Sequence, residues 1–231
     1  MNHYKYLFFD VDNTLLDFNA AEELALQRLF DDQHINLTTE IERYYKEMNK
    51  GLWRDFENGK IDRDELVNTR FAKLFKAFGR DVDGVTMEQN YRRFLNEGHQ
   101  LVSGARQLLL RLKERFDLYI VTNGVAETQR KRLQDSGLTP FFKQIFVSED
   151  SGYHKPDPRF FHYVFKHIPC FRADHGLIVG DSLISDIQGG SHAGLKTCWF
   201  NAKHQNNELD VKPNYEIHKL DELYAILQPN E

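Results

Sequence analysis

Asp10-Val11-Asp12-Asn13-Thr14 places two carboxylates where the apolar run Tyr4–Phe9 stops. That run reads as a short buried strand. Both acids therefore sit where a strand opens into a loop, the edge at which sheets built from crossover units bind ligands. Two neighbouring acids repel each other and favour a bound cation or a shared proton. Asp10 suits attack on phosphorus to form an acyl-phosphate. Asp12 suits protonating the leaving oxygen and then accepting a proton from water. A pair of solvated turn acids has the same spacing, so the assignment depends on what else reaches this edge.

Three further segments supply candidates. Val121-Thr122-Asn123-Gly124 closes a second apolar strand and offers a hydroxyl, an amide and an open backbone N–H to phosphate oxygens, although Asn-Gly is also ordinary turn chemistry. Lys155-Pro156-Asp157-Pro158 follows a third strand. Prolines on both sides of Asp157 restrict the backbone, and the lysine is a compact charge suited to phosphate and to offsetting the negative charge of Asp10. Gly180-Asp181-Ser182-Leu183-Ile184-Ser185-Asp186 closes a fourth strand. Asp181 is a hard oxygen ligand suited to Mg2+, and Asp186 lies one turn further on. Each segment has a plain reading as a turn or cap. Together, four strand tips carry acids, hydroxyl with amide, lysine and acids, and the tips of a parallel sheet share one edge.

The elements that must position these groups read as alternating strands and helices. Strands are expected at 117–122, 144–147, 177–179 and 197–200, with helices at 126–136, 158–167 and 184–193. This pattern gives an α/β parallel sheet with helices on both faces. Residues from about 18 to 99 break the rhythm with four helical stretches, at 20–30, 40–56, 66–78 (N-capped by Asp62, stopped by Gly79) and 87–97. We therefore expect a sheet domain of residues 1–17 and 100–231 and an all-helical insert at 18–99. Ser103 is expected to cap the helix carrying Leu108, Leu109 and Leu112. The segment 201–213 reads as loop.

The chain has 231 residues, 41% of them hydrophobic and 28% charged, which suits a substantial core. A net charge of −5 leaves no broad basic surface, so no nucleic acid polymer is expected as a partner. Cys170 and Cys198 are the two cysteines, with no metal-ligand spacing, which fits a reducing compartment. The first apolar run is broken by Asp10, so neither a signal peptide nor a membrane span is expected; the reading is a cytoplasmic protein with no membrane partner, a monomer or weak homodimer.

The four motifs, Asp10-x-Asp12-x-Thr14, Thr122-Asn123, Lys155-Pro156 and Gly180-Asp181-x4-Asp186, resemble those of the haloacid dehalogenase superfamily of phosphotransferases over nearly the whole chain. The resemblance implies a Rossmann-like core with a helical cap inserted after the first motif. It implies Asp10 as nucleophile and Asp12 as general acid and base. Mg2+ would be held by the Asp10 carboxylate, the Asp12 backbone carbonyl and Asp181, with Asp186 supporting the metal, and Thr122, Asn123 and Lys155 would bind the phosphoryl group. Dehalogenating members lack the second acid, so Asp12 argues for phosphate esters.

Within the insert, Gly51-Leu52-Trp53-Arg54-Asp55-Phe56-Glu57-Asn58-Gly59 is similar to a cap segment of bacterial pyrimidine 5′-nucleotidases. Trp53 could stack on a base and Arg54 meet its polar edge, or Trp53 and Phe56, three apart on a helix, could pack the insert's core. The expected substrate is a small phosphate monoester, a pyrimidine nucleoside monophosphate. A sugar-phosphate phosphatase, a phosphomutase and a non-catalytic phosphate-binding regulator are the alternatives. His154 reads as a neighbour of Lys155, and Glu149 and Asp150 as loop-solvating acids. The crossings near Asp17-Phe18 and at 99–104 are the expected hinge.

Overall fold

The computed structural model describes residues 4–228. The chain forms two compact units, one running to Phe18 and resuming at His99, the other from Asn19 to Gly98. The first strand, β1 (Tyr6–Phe9), is buried on both sides, as a central parallel strand must be. The two crossings run side by side: Leu16 bridges Leu101 in antiparallel fashion, Asp17 N donates to Gln100 O, and Val102 N donates to Leu15 O.

The helical unit follows as α1 (Phe18–Asp32), α2 (Thr39–Glu57), α3 (Arg63–Ala77) and α4 (Gly84–Leu95). The Asp62 side chain caps α3 by accepting from Glu65 N at 2.7 Å, and Gly79 at φ +75° follows its end. Inside the unit, Tyr45, Phe71 and Tyr91 pack ring on ring. Arg70, fully buried among them, donates from Nε and Nη2 to the two oxygens of Glu88 (2.7 and 2.8 Å) and from Nη1 to Asn49. Asn49 in turn donates to Glu22, and Arg92 donates to Glu88. This network ties together all four helices.

The sheet unit continues with α5 (Ala105–Leu112), β2 (Asp117–Thr122), α6 (Ala126–Asp135), β3 (Gln144–Val147), α7 (Ser148–Ser151), α8 (Pro158–Lys166) and β4 (Gly176–Gly180). A π-helical stretch, Leu183–Gln188, runs into α9 (Gly189–His192), followed by β5 (Lys196–Phe200), β6 (Tyr215–Ile217) and α10 (Leu223–Leu227). Among the described residues the sheet order is β3-β2-β1-β4-β5-β6, every pairing parallel. Alternation along the strands feeds two cores. Leu7, Phe9 and Ile120 pack with Leu108, Leu109 and Leu112 of α5 on one face; Phe8, Tyr119 and Val121 pack with Phe160, Phe161 and Val164 of α8 on the other. Each large apolar side chain so buried contributes about 1.5–3 kcal/mol.

The structure corrects three local expectations. Ser103 does not cap α5: the capping residue is Gly104 at φ +84°, whose carbonyl receives Leu108 N without any side-chain bond. The helix expected at 184–193 begins one residue earlier and is π-helical before its last turn. Strand β6 and helix α10, three and five residues long, were not expected; segments this short carry almost no periodic signal.

Arg70→Met leaves Glu88 a buried charge without its bidentate partner, and should destabilise the helical unit by about 3–5 kcal/mol. The two tryptophans divide between the units, Trp53 in the helical one and Trp199 in the sheet. Urea unfolding read by Trp53 fluorescence in a Trp199→Phe background should show the shift; an unchanged midpoint would refute it.

Candidate functional site

Asp10 leaves β1 at the topological switch of the sheet, where β1 lies between β2 and β4. Its N–H donates to Val179 O of β4 (3.0 Å). The loop then folds on itself: Leu15 N and Leu16 N both donate to Val11 O, and Asn13 N donates to Leu16 O, with Asn13 at φ +58°. Asparagine tolerates that left-handed position better than most residues.

Lys155 is 1% exposed and uses all three ammonium protons. Its Nζ donates to Asp10 Oδ1 (2.8 Å), Asp186 Oδ1 (2.6 Å) and Val121 O (2.8 Å). Asn123 sets the backbone beneath it, accepting from Lys155 N (2.9 Å) and donating to Lys155 O (2.8 Å). The amide expected on the phosphate thus also seats the lysine.

Asp186 is reached through the π-helical stretch. Its Oδ2 accepts from Ser182 N (3.1 Å), and Ser182 Oγ accepts from Ser185 N. The extra residue per turn lets the aspartate fold back toward the strand tip, a common use of π-turns at functional sites. Gly180 is obligatory here, since a Cβ on it would lie 2.2 Å from Asp186 Cγ. Trp199 Nε1 donates to Asp181 O (2.9 Å), holding the backbone of the second acid.

Asp10, Asp181 and Asp186 each offer a carboxylate oxygen, and the three oxygens lie within 4.8 Å of one another. Burial pushes the Asp10 carboxyl up, Asp186 and Asp12 add to the rise, and Lys155 opposes it, leaving it at about 7. Asp181 rises well above the usual carboxylate range for the same reasons, burial first and then Asp10 and Asp186, although part of its surface stays open. Burial alone would lower the Lys155 ammonium; Asp10 and Asp186 outweigh it and hold it above its ordinary range. Three crowded acids against one lysine make a donor set of hard oxygens with excess negative charge, which fits a small divalent cation such as Mg2+.

The carboxylate of Asp12 is not in that cluster. Its Oδ1 accepts from Arg132 Nη1 (2.5 Å) and its Oδ2 from Gln129 Nε2 (2.8 Å). The same Gln129 nitrogen donates to Thr122 Oγ1 (2.8 Å), which also accepts from Gly124 N (3.2 Å). Both lone pairs of Thr122 are so engaged, leaving its proton for an outside acceptor. In the sequence, Gln129 and Arg132 lie within the helix expected at 126–136, a polar segment rich in arginine, with nothing nearby to single them out. The available signal was that a helix following a parallel strand must bury a face, and this one has few apolar residues with which to do so.

Glu149 and Asp150 brace that helix. Glu149 Oε1 accepts from Ala126 N (3.1 Å) at its start, and Asp150 pairs with Arg130. His154 gives its backbone carbonyl to Asp157 N. Trp53 and Arg54 belong to the helical unit: Trp53 meets Phe56 edge to face with centroids 5.7 Å apart, and Arg54 is exposed.

A family model described as haloacid dehalogenase-like hydrolase matches residues 4–194. The chain belongs to this family. It is 59% identical over 227 residues to the HAD-hydrolase YfnB of Bacillus subtilis, covering 98% of this chain and 97% of that protein. A crystal structure of YfnB bound to magnesium, described as revealing interdomain movement, superposes with a TM-score of 0.95 at 58% identity, covering 98% of this chain and all of that one. The pyrimidine 5′-nucleotidase PynA of Streptococcus pneumoniae is 44% identical over 228 residues, covering 98% of this chain and 96% of its own, and the pyrimidine 5′-nucleotidase YjjG of Escherichia coli is 32% identical over 222, covering 96% and 97%. Among the described residues, no helix is long and apolar enough to cross a membrane.

A carboxyl whose pKa is raised in the folded state costs stability as it ionises; the cost is absent below the unfolded-state value and grows as pH rises. Asp181→Asn should therefore raise the melting temperature of the cation-free protein at about pH 7.5, by about 2–4 °C for each kcal/mol relieved. The gain should fade toward about pH 4. Calorimetry at the two pH values decides it, and an equal gain at both would count against this account of the pocket.

Proposed function

We propose that this hydrolase is a Mg2+-dependent phosphomonoesterase that works through an aspartyl-phosphate on Asp10 and prefers pyrimidine nucleoside 5′-monophosphates. The observation that carries the reading is the separation of the two acids of the first motif. Asp10 is buried against Lys155, while the part-open Asp12 is held by Arg132 and Gln129. Two carboxyls in such different settings can take different jobs.

Asp10 Oδ attacks phosphorus as the bond to the leaving oxygen breaks, and Asp12 gives that oxygen its proton. Water then attacks the aspartyl-phosphate, passing a proton to Asp12, and inorganic phosphate leaves with Asp10 restored. Thr122 and Asn123 offer donors to the phosphoryl oxygens, and Lys155, its three protons committed to Asp10, Asp186 and Val121, supplies positive charge beside them. Asp10 and Asp181, with Asp186 beside them and the backbone carbonyl of Asp12, are the residues that would hold Mg2+. When bound, it supplies positive charge that keeps the acids ionised at neutral pH and offsets charge on the transferring phosphoryl group. The proton donor sets the substrate class, because a leaving alkoxide needs a proton and a halide does not. The pyrimidine preference leans on the names of PynA and YjjG and on the cap segment around Trp53 and Arg54.

A phosphate-release screen across nucleoside monophosphates and sugar phosphates tests both levels. With Mg2+, the highest kcat/KM is expected on pyrimidine 5′-monophosphates, and EDTA should abolish release. Asp10→Asn should lower kcat by at least about 10⁴-fold while leaving the fold intact. Preference for a sugar phosphate would replace the substrate assignment. A phosphoryl group recovered on a different hydroxyl of the substrate, with no inorganic phosphate released, would indicate a mutase. No release from any ester would favour a phosphate-binding regulator.

A further inference from the structure

Two residues outside the family motifs hold the acid at Asp12. Gln129 and Arg132 lie three apart on α6 and so share a face. Gln129 uses both its amide protons and its oxygen: the protons go to Asp12 Oδ2 and Thr122 Oγ1, each at 2.8 Å, and Oε1 accepts from Arg132 Nη1 at 3.2 Å. Arg132 Nη1 also donates to Asp12 Oδ1, and its guanidinium lies over the Phe18 ring, 5.5 Å from the centroid. Gln129 and Arg132 are 1% and 0% exposed, whereas the Asp12 side chain is 28% exposed. The acid is gripped from the protein side and open on the other.

Burying an arginine in a helix beside Leu133 is expensive unless its charge is paired, so a helix needed only for packing has no use for it. The surroundings are shaped to admit the pair. A Cβ on Gly124 would lie 2.4 Å from Gln129 Nε2, so the glycine of the Thr122-Asn123-Gly124 turn makes room for that amide. Glu149 and Asp150 fix α6 at Ala126 and Arg130.

We propose that Gln129 and Arg132 are positioning residues that aim the Asp12 carboxylate at the leaving-group oxygen. The inference rests on the reading of Asp12 as proton donor. Misplacing an acid by even about 1 Å can cost on the order of 10²-fold.

The test uses leaving-group dependence, since a proton donor matters for a basic leaving group and hardly at all for an acidic one. The probes are benzyl phosphate and p-nitrophenyl phosphate, similar in size and unlike in leaving-group basicity. They are compared by kcat/KM, which reports formation of the aspartyl-phosphate. Gln129→Met and Arg132→Met should each lose about 10- to 100-fold on benzyl phosphate and less than about threefold on p-nitrophenyl phosphate. Arg132→Lys should recover part of the loss. In an Asp12→Asn background, neither substitution should cost anything more on benzyl phosphate. If Arg132→Met does not fold, Gln129→Met carries the same comparison.

Equal losses on the two esters, or losses that persist in the Asp12→Asn background, overturn the proposal. Asp12→Asn alone separates the two claims. An unselective loss there removes Asp12 as proton donor and this inference with it. A selective loss there, combined with unselective losses at Gln129 and Arg132, leaves the donor in place and overturns the positioning role alone.

Discussion

One lysine, fully buried, stands between Asp10 and Asp186 at the tip of the central strands, and the site is organised around it. Left alone, those acids would repel each other in a place that water barely reaches. Lys155 makes their proximity tolerable, and its third proton fixes it to the carbonyl of Val121 on the neighbouring strand. Much of the surrounding backbone follows from keeping this ammonium in place: Asn123 clasps its peptide, Gly180 leaves space for Asp186, and the π-helical turn brings that aspartate back to it. A buried ion cluster is a poor source of stability; here it holds charge in readiness, with acids more numerous than bases.

A second support stands apart from the first. The lysine fixes the Asp10 side of the site through strands β1, β2 and β4, whereas Asp12 answers to the helix that follows β2. The sheet supplies the depth at which Asp10 sits, and the helix supplies the grip on the acid beside it. Thr122 belongs to both, since it ends β2 and receives the amide of Gln129.

Much of this was legible in the chain, and the omissions have physical reasons. The four motifs stood out because strand tips force unlike chemistry into a fixed order, and the strands themselves because buried parallel strands are short, apolar and sharply bounded. Asp62 announced its helix because capping is local. Gln129 and Arg132 did not stand out. Nothing nearby in sequence needs them; their partner lies 117 and 120 residues away, in the first loop. Asn123 was assigned by chemistry alone to phosphate, while its hold on the Lys155 backbone is a tertiary fact. Ser103 was passed over by the neighbouring glycine because a left-handed residue sets the entry to α5. The turn at Asp186 reads as ordinary helix because one added residue leaves no trace in composition.

The paired crossings at Leu15–Asp17 and Gln100–Val102 have a consequence of another kind. Some eighty residues leave the sheet unit and return to it at points joined by backbone hydrogen bonds. A loop whose ends are pinned together costs its host little more when long than when short. The helical insert is therefore removable in principle: a tight turn between Asp17 and Gln100 would close the same sheet. A lineage built on this plan can exchange or rebuild the insert wholesale while the strands that carry the acids, and their order, stay untouched.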